Sequence, residues 1–164
     1  MPIRIGATAP RTQVPAYVSG RRNARLAGPF DERGRWVVLA FYPRDFSSEC
    51  ADYLADLAEF EPAFAVEDTV VMAASTGSWL SHRRWFQHHP QLAAVTYPVL
   101  ADAAGELSRA FGTLRLNGEC RRTTFIIDPE GIVRHAGGDG DEAFDTLCAL
   151  HDVRTPNWPA LLAA

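Results

Sequence analysis

Apolar residues fall along this chain in two recurring patterns. Trp36-Val37-Val38-Leu39-Ala40-Phe41 is an unbroken apolar run that stops at Tyr42-Pro43. Short continuous runs bounded by turn residues suit a strand buried on both faces. Residues 69–74, centred on Val70-Val71-Met72, repeat that pattern. Between the two, over 48–64, Leu54, Leu57, Phe60 and Phe64 recur at helical spacing, with Asp52, Asp56, Glu59 and Glu61 among them. This spacing predicts an amphipathic helix, with Pro62 as a place where it can bend. A second helix is predicted over 81–88, carrying Trp85 and Phe86. The alternation of strand and helix points to an α/β fold. Further on, 97–102 reads as a short strand or sheet edge, 105–111 as a helix and 123–128 as a strand. Pro129-Glu130-Gly131 then turns the chain into a hairpin partner over 132–135. A last helix is predicted over 139–151, introduced by Gly137-Gly138-Asp139-Gly140. No repeat and no Pro/Ser/Gly-rich linker divides the sequence, so residues 1–164 are expected to form a single domain, with 153–164 as a C-terminal tail.

Composition narrows the chemistry. The chain has 164 residues, 47% of them hydrophobic and 22% charged, ordinary for a folded domain and unlike a disordered segment. Sixteen basic against twenty acidic side chains leave a net charge of −4, without the basic excess that nucleic-acid binding requires. No apolar run approaches the roughly 20 residues of a membrane span, and Met1-Pro2-Ile3-Arg4 lacks the apolar stretch of a secretory signal. A cytoplasmic location is therefore expected, with neither nucleic acid nor membrane as partner. Every basic residue is Arg, which removes Schiff-base and lysine general-base chemistry.

The three cysteines, Cys50, Cys120 and Cys148, are widely spaced and lack the clustering of a zinc site or a Cys-x-x-Cys redox pair. No metal and no cofactor are expected. Cys50 falls in the first turn of the predicted 48–64 helix, just beyond a buried strand. Free backbone N–H groups and the positive end of the helix dipole stabilise an anion at such a place, here a thiolate. Ser47, three residues earlier, is suited to cap that helix, and its hydroxyl can also reach the sulfur or a bound oxygen. The acidic neighbour Glu49 opposes a thiolate by about 1 kcal/mol, and Arg44 or Arg121 are its candidate counter-charges.

At this point several segments, in order, resemble the peroxiredoxins, in the alkyl hydroperoxide reductase C and thiol-specific antioxidant (AhpC/TSA) branch. Phe41-Tyr42-Pro43-Arg44-Asp45-Phe46-Ser47-Ser48-Glu49-Cys50 is similar to the family's Phe-Tyr-Pro, Asp-Phe-Thr and Pro-x-x-x-Thr/Ser-x-x-Cys signature. The stretch from Ser75 through Ser81-His82-Arg83-Arg84-Trp85 resembles its Ser-His-x-x-Trp segment. Tyr97-Pro98-Val99-Leu100-Ala101-Asp102 and Leu107-Ser108-Arg109-Ala110-Phe111-Gly112 resemble its next two motifs. Arg122-Thr123-Thr124-Phe125-Ile126-Ile127-Asp128-Pro129 is similar to the strand that carries the family's second catalytic residue. The resemblance implies a thioredoxin-like fold, a central mixed sheet flanked by helices, and a thiol peroxidase. In that reading Cys50 attacks a hydroperoxide, while Arg122, Ser47 and backbone amides meet the charge growing on the departing oxygen. Pro43 shields the sulfur, and Tyr42 and Trp85 contact the substrate. An external thiol reductant, either a thioredoxin-like protein or a low-molecular-weight thiol, and a homodimer or higher homo-oligomer complete the implied partners.

Departures from the family pattern bear on the cycle. Val153-Arg154-Thr155-Pro156-Asn157-Trp158 keeps the neighbours of the family's C-terminal resolving cysteine and lacks the cysteine itself. A one-cysteine cycle is therefore expected. Cys120 stands in the turn leading to Arg122, expected to be more exposed and nearer the pocket, and is the candidate for an atypical resolving thiol. Cys148 shares a helical face with Phe144, Leu147 and His151 and reads as a packed core thiol. Ala51 and Tyr53 occupy places where the family has Pro and the Glu that orients the catalytic Arg, so Arg122 is expected to be held differently. These changes leave two rival functions open. One is a thiol enzyme of the same fold recruited to a specialised biosynthetic pathway, and the other a non-turnover redox sensor or binding module. Trp79, Trp85 and Phe86 read as core or subunit interface, with an apolar pocket rim as the alternative. His88-His89 reads as a solvated helix end, and Gly137-Gly138-Asp139-Gly140 as a turn and cap.

Overall fold

The computed structural model describes residues 3–138 and 140–154. Its strands are β1 (Val14–Tyr17), β2 (Arg25–Ala27), β3 (Trp36–Phe41), β4 (Thr69–Ser75), β5 (Val99–Ala101), β6 (Thr123–Ile127) and β7 (Val133–Ala136). Its helices are α1 (Ser48–Val66), α2 (Trp79–His88), α3 (Glu106–Ala110) and α4 (Gly140–Arg154). The strands form one sheet in the order β2-β1-β5-β4-β3-β6-β7. β3, β4 and β5 run parallel, with α1 and α2 in the crossovers, and the remaining neighbours pair antiparallel. The expected mixed sheet with flanking helices is the one observed.

The unbroken apolar run of β3 is explained by its place near the centre of the sheet, paired with β4 on one side and β6 on the other. Its alternate residues feed two cores. Trp36, Val38 and Ala40, with Tyr42 just beyond the strand, pack with Leu54, Leu57 and Phe64 of α1, Leu147 of α4, Trp85 of α2 and Cys50. Val37, Leu39 and Phe41 pack on the other face with Leu107 of α3, Phe111, Phe30 and Cys120. Each fully buried leucine or phenylalanine contributes about 1.5–3 kcal/mol, and Leu54, Leu57 and Phe64 hold α1 firmly to the sheet.

Local outcomes differ from the sequence pattern in four places. α1 passes through Pro62 without a break, because buried side chains on both sides of it hold the helix to the sheet. α2 begins at Trp79, two residues early, where the Ser78 hydroxyl accepts from the Ser81 N–H at 3.1 Å. β1 and β2 were not foreshadowed by periodicity, being only four and three residues long; β1 covers the open side of β5, and β2 lies at the sheet edge beyond it. The expected C-terminal tail lies almost wholly outside the described residues, with 153–154 still in α4. Among the described residues no helix is long and apolar enough to cross a membrane.

Candidate active site

β3 ends at Phe41, and residues 42–47 carry the chain over the edge of the sheet to α1. Tyr42 is fully buried and Pro43 half-buried. Phe46 adopts a left-handed backbone with φ 61° although it is neither Gly nor Asn. Ser47 follows in extended conformation and caps α1, its hydroxyl oxygen accepting from the Cys50 N–H at 3.3 Å. Cys50 is thus in the first turn of a long helix, whose unpaired amides and dipole favour negative charge. It is 4% exposed, so its sulfur is almost covered.

Arg122, immediately before β6, reaches the same end of α1. Its guanidinium carbon lies 4.8 Å from the centre of the Tyr53 ring. The Tyr53 hydroxyl pairs with the Thr124 hydroxyl at 2.7 Å, and Thr124 donates to the Gly138 carbonyl at 3.1 Å. Tyr53 therefore ties α1 to β6 through its oxygen and seats the cation on its ring face. Where the implied family pattern has a carboxylate to orient this arginine, an aromatic surface stands instead, and the expectation that Arg122 is held differently is met in this form. Arg122 and Tyr53 open onto a cavity of about 480 Å³ walled by Glu49, Asp52, Asp56, Glu59, Phe60, Gly140 and Asp141. Five carboxylates and one guanidinium share it. The cation sharing a pocket with Glu49 is thus Arg122; neither Arg44 nor Arg121 is part of that wall.

The other residues singled out from sequence fall as follows. Tyr42 and Trp85 are 0% and 2% exposed, with ring centres 5.7 Å apart, so they form the backing of the 42–47 segment and not a substrate-facing rim. The aromatic that faces solvent there is Phe46, at 62% exposure. Cys120, expected to be exposed and close to the pocket, is 0% exposed. It sits in the opposite core from Cys50, with the sheet between them, and its sulfur is 3.1 Å from the Ser108 hydroxyl. A backbone bridge pairs Cys120 with Leu114, and the thiol packs in the cluster of Leu107, Phe111 and Phe125. Burial pushes the Cys120 thiol above its ordinary value, even against the lowering hydrogen bonds of Ser108 and Thr113. Cys148 is half-buried, 3.9 Å from a Glu67 carboxylate oxygen, and packs at the α1–α4 contact.

Two groups near Cys50 escaped sequence reasoning. Tyr53 was noted only as a replacement, and its position one turn after the cysteine is the signal that could have marked it as the seat for Arg122. Asp45 and His82 form a buried pair, with His82 Nδ1 2.7 Å from Asp45 Oδ2. Burial alone would raise the Asp45 pKa, but His82, Ser81 and Tyr42 together hold it below its ordinary value.

A mixed sheet of this order, with a thiol at the start of the helix leaving its central strand, defines a thioredoxin-like protein of peroxiredoxin type. The comparison with known proteins makes this specific: residues 5–136 match the AhpC/TSA family, and the chain belongs to it. It is 31% identical to the alkyl hydroperoxide reductase C of Mycobacterium tuberculosis, over 95% of this chain and 90% of that protein. Among solved structures, Enterococcus faecalis AhpC superposes with a TM-score of 0.86 at 28% identity, covering 92% of this chain and 93% of the other. M. tuberculosis AhpC superposes with a TM-score of 0.84 at 26% identity, over 96% and 99%.

Proposed function

We propose that the protein is a thiol-dependent peroxidase in which the Cys50 thiolate attacks one oxygen of a hydroperoxide. The S–O bond forms as the O–O bond breaks; the second oxygen leaves as hydroxide or alkoxide and takes a proton, and Cys50 becomes a sulfenic acid. The single observation that carries this reading is the Ser47-capped Cys50 at the start of α1, with Arg122 brought to the same helix end on the ring of Tyr53. In this reading the guanidinium, the Ser47 hydroxyl and first-turn amides meet the charge on the departing oxygen, and Pro43 restricts water. The acid-lined cavity beside Arg122 favours neutral hydroperoxides over anionic ones.

The cycle closes with an outside thiol. Cys120 is sealed in the other core and Cys148 is packed against Glu67, which supports a one-cysteine route. A thiol reductant attacks the sulfenic sulfur, releases water and forms a mixed disulfide, which a second thiol resolves. A homo-oligomer and a cytoplasmic location fit this chemistry and complete the proposal.

The test is hydroperoxide consumption with an added dithiol, which Cys50→Ser should abolish. Intact mass after one equivalent of hydroperoxide should show one added oxygen that a sulfenic-acid trap captures. Loss of two hydrogens would assign a resolving role to Cys120 or Cys148. A single stoichiometric oxidation without turnover would make the protein a sensor.

A further inference from the structure

The 42–47 segment that delivers the chain to Cys50 contains a backbone conformation with a cost. Phe46 sits at φ 61°, where a bulky side chain is strained and persists only if its surroundings over-determine it. Its own side chain does little to secure it, being 62% exposed, with a tilted ring contact to Trp85 at 6.4 Å between centres. The residue before it is held far more tightly. Asp45 Oδ1 accepts from the Tyr42 hydroxyl at 2.7 Å, and Oδ2 accepts from the Ser81 hydroxyl at 2.6 Å and faces His82 Nδ1 at 2.7 Å. His82 is 0% exposed, and its other nitrogen faces the Leu100 carbonyl at 3.1 Å. One imidazole therefore links the segment before Cys50 to α2, which carries it, and to β5.

We propose that His82, acting through Asp45, is a positioning residue for Cys50: the clamp holds Phe46 left-handed, which sets Ser47 as the helix cap and so fixes the Cys50 amide and sulfur. Asp45, Phe46, Ser47 and Cys50 form a short mechanical series in which each position depends on the one before. Neither His82 nor Asp45 touches the reacting atoms, and the peroxide chemistry does not require their protons. Tyr42 is held as a donating phenol, because burial and the Asp45 charge push its pKa well above 10.0. Gly77 completes the arrangement. A Cβ there would lie 2.7 Å from Asp45 Oδ2 and 3.0 Å from His82 Cε1, so the clamp closes only over a residue without a side chain.

This inference rests on the assignment of Cys50 as the reacting thiol, and the experiment separates the two. The bimolecular rate of Cys50 oxidation by hydrogen peroxide and the ultraviolet thiolate absorbance at pH 7 are measured for the wild type, Cys50→Ser, His82→Leu and His82→Asn. Leu keeps the volume without a donor, and Asn keeps a donor for Asp45. His82→Leu should lower the rate by about tenfold or more, as small misplacements of reacting groups do, and should lower the thiolate signal. His82→Asn should recover most of both. Phe46→Gly in the His82→Leu background should also restore part of the rate, because glycine adopts the left-handed conformation without strain. A merely structural histidine would lower the melting temperature and leave rate and thiolate signal unchanged, and that result overturns the proposal. So does a failure of Phe46→Gly to restore any rate. Should His82→Leu not fold, Gly77→Ala pushes a methyl against Asp45 without removing any member of the clamp. It should move the same two readouts in the same direction, and no movement in either overturns the proposal. If wild type and Cys50→Ser consume peroxide equally, the assignment of Cys50 fails first.

Discussion

One side chain, Tyr53, decides how the Arg122 guanidinium is held. A carboxylate in place of Tyr53 would bind the Arg122 guanidinium through directed hydrogen bonds, whereas the Tyr53 ring attracts it through its face at 4.8 Å. The aromatic seat is worth about 0.5–1 kcal/mol at an exposed site, and leaves the guanidinium's donors for an oxygen developing charge. Arg122→Ala is expected to slow peroxide reduction roughly a hundredfold or more, the loss typical of a preorganised donor. Tyr53→Leu should cost only about threefold, the rate equivalent of the seat's energy. Stopped-flow oxidation of the two variants checks the order. If Tyr53→Leu is as slow as Arg122→Ala, the ring does more than seat the cation. Arg122 was singled out in the sequence only through the resemblance of Arg122-Thr123-Thr124-Phe125-Ile126-Ile127 to the family's strand motif. The contacts of Tyr53 were not legible, because a ring face under Arg122 and a hydroxyl facing β6 are set by how α1 lies across the sheet.

At the level of elements, α1 is the part of the fold on which the chemistry depends. Its apolar stripe was readable from Leu54, Leu57, Phe60 and Phe64, and its start from Ser47 three residues before Cys50. The observed cap agrees, with the Cys50 N–H on the Ser47 hydroxyl. Ser47→Ala should destabilise the protein by about 1 kcal/mol, the usual worth of a side-chain cap, in chemical denaturation. It should also slow peroxide reduction, since the same oxygen orients the cysteine's amide. A change in stability with no change in rate would confine Ser47 to capping. β1 and β2 were invisible for the opposite reason. Strands of three or four residues carry too few alternating positions to show a period, and Pro15 in β1 reads against a strand. β1 forms because β5 leaves an edge that needs hydrogen-bond partners, and β2 in turn pairs with β1.

Across the whole molecule, the buried Asp45–His82 pair joins the end of β3, the segment before α1, the helix α2 and β5. Asp45 is folded with a pKa below its ordinary 3.8. Its contribution to stability is therefore complete above the unfolded pKa, near pH 4, and is lost as the pH falls through the lower folded value. In urea denaturation the stability gap between wild type and Asp45→Asn should narrow as the pH falls below about 4. A gap that fails to narrow below about pH 4 would mean that the carboxylate is not held in its charged form.

The amino-acid sequence by itself determined the order of strands and helices in the parallel core, the place of Cys50 at the start of a helix, and the absence of lysine chemistry. Each of these is written in local pattern: runs, spacings and residue types within a few turns of one another. Only the tertiary structure decided that Cys120 is sealed behind the sheet, that Tyr42 and Trp85 back the loop, that Arg122 rests on a ring, and that His82 grips Asp45. Those outcomes depend on which face of the sheet a side chain takes and on contacts between residues dozens of positions apart, and one-dimensional spacing carries no record of either.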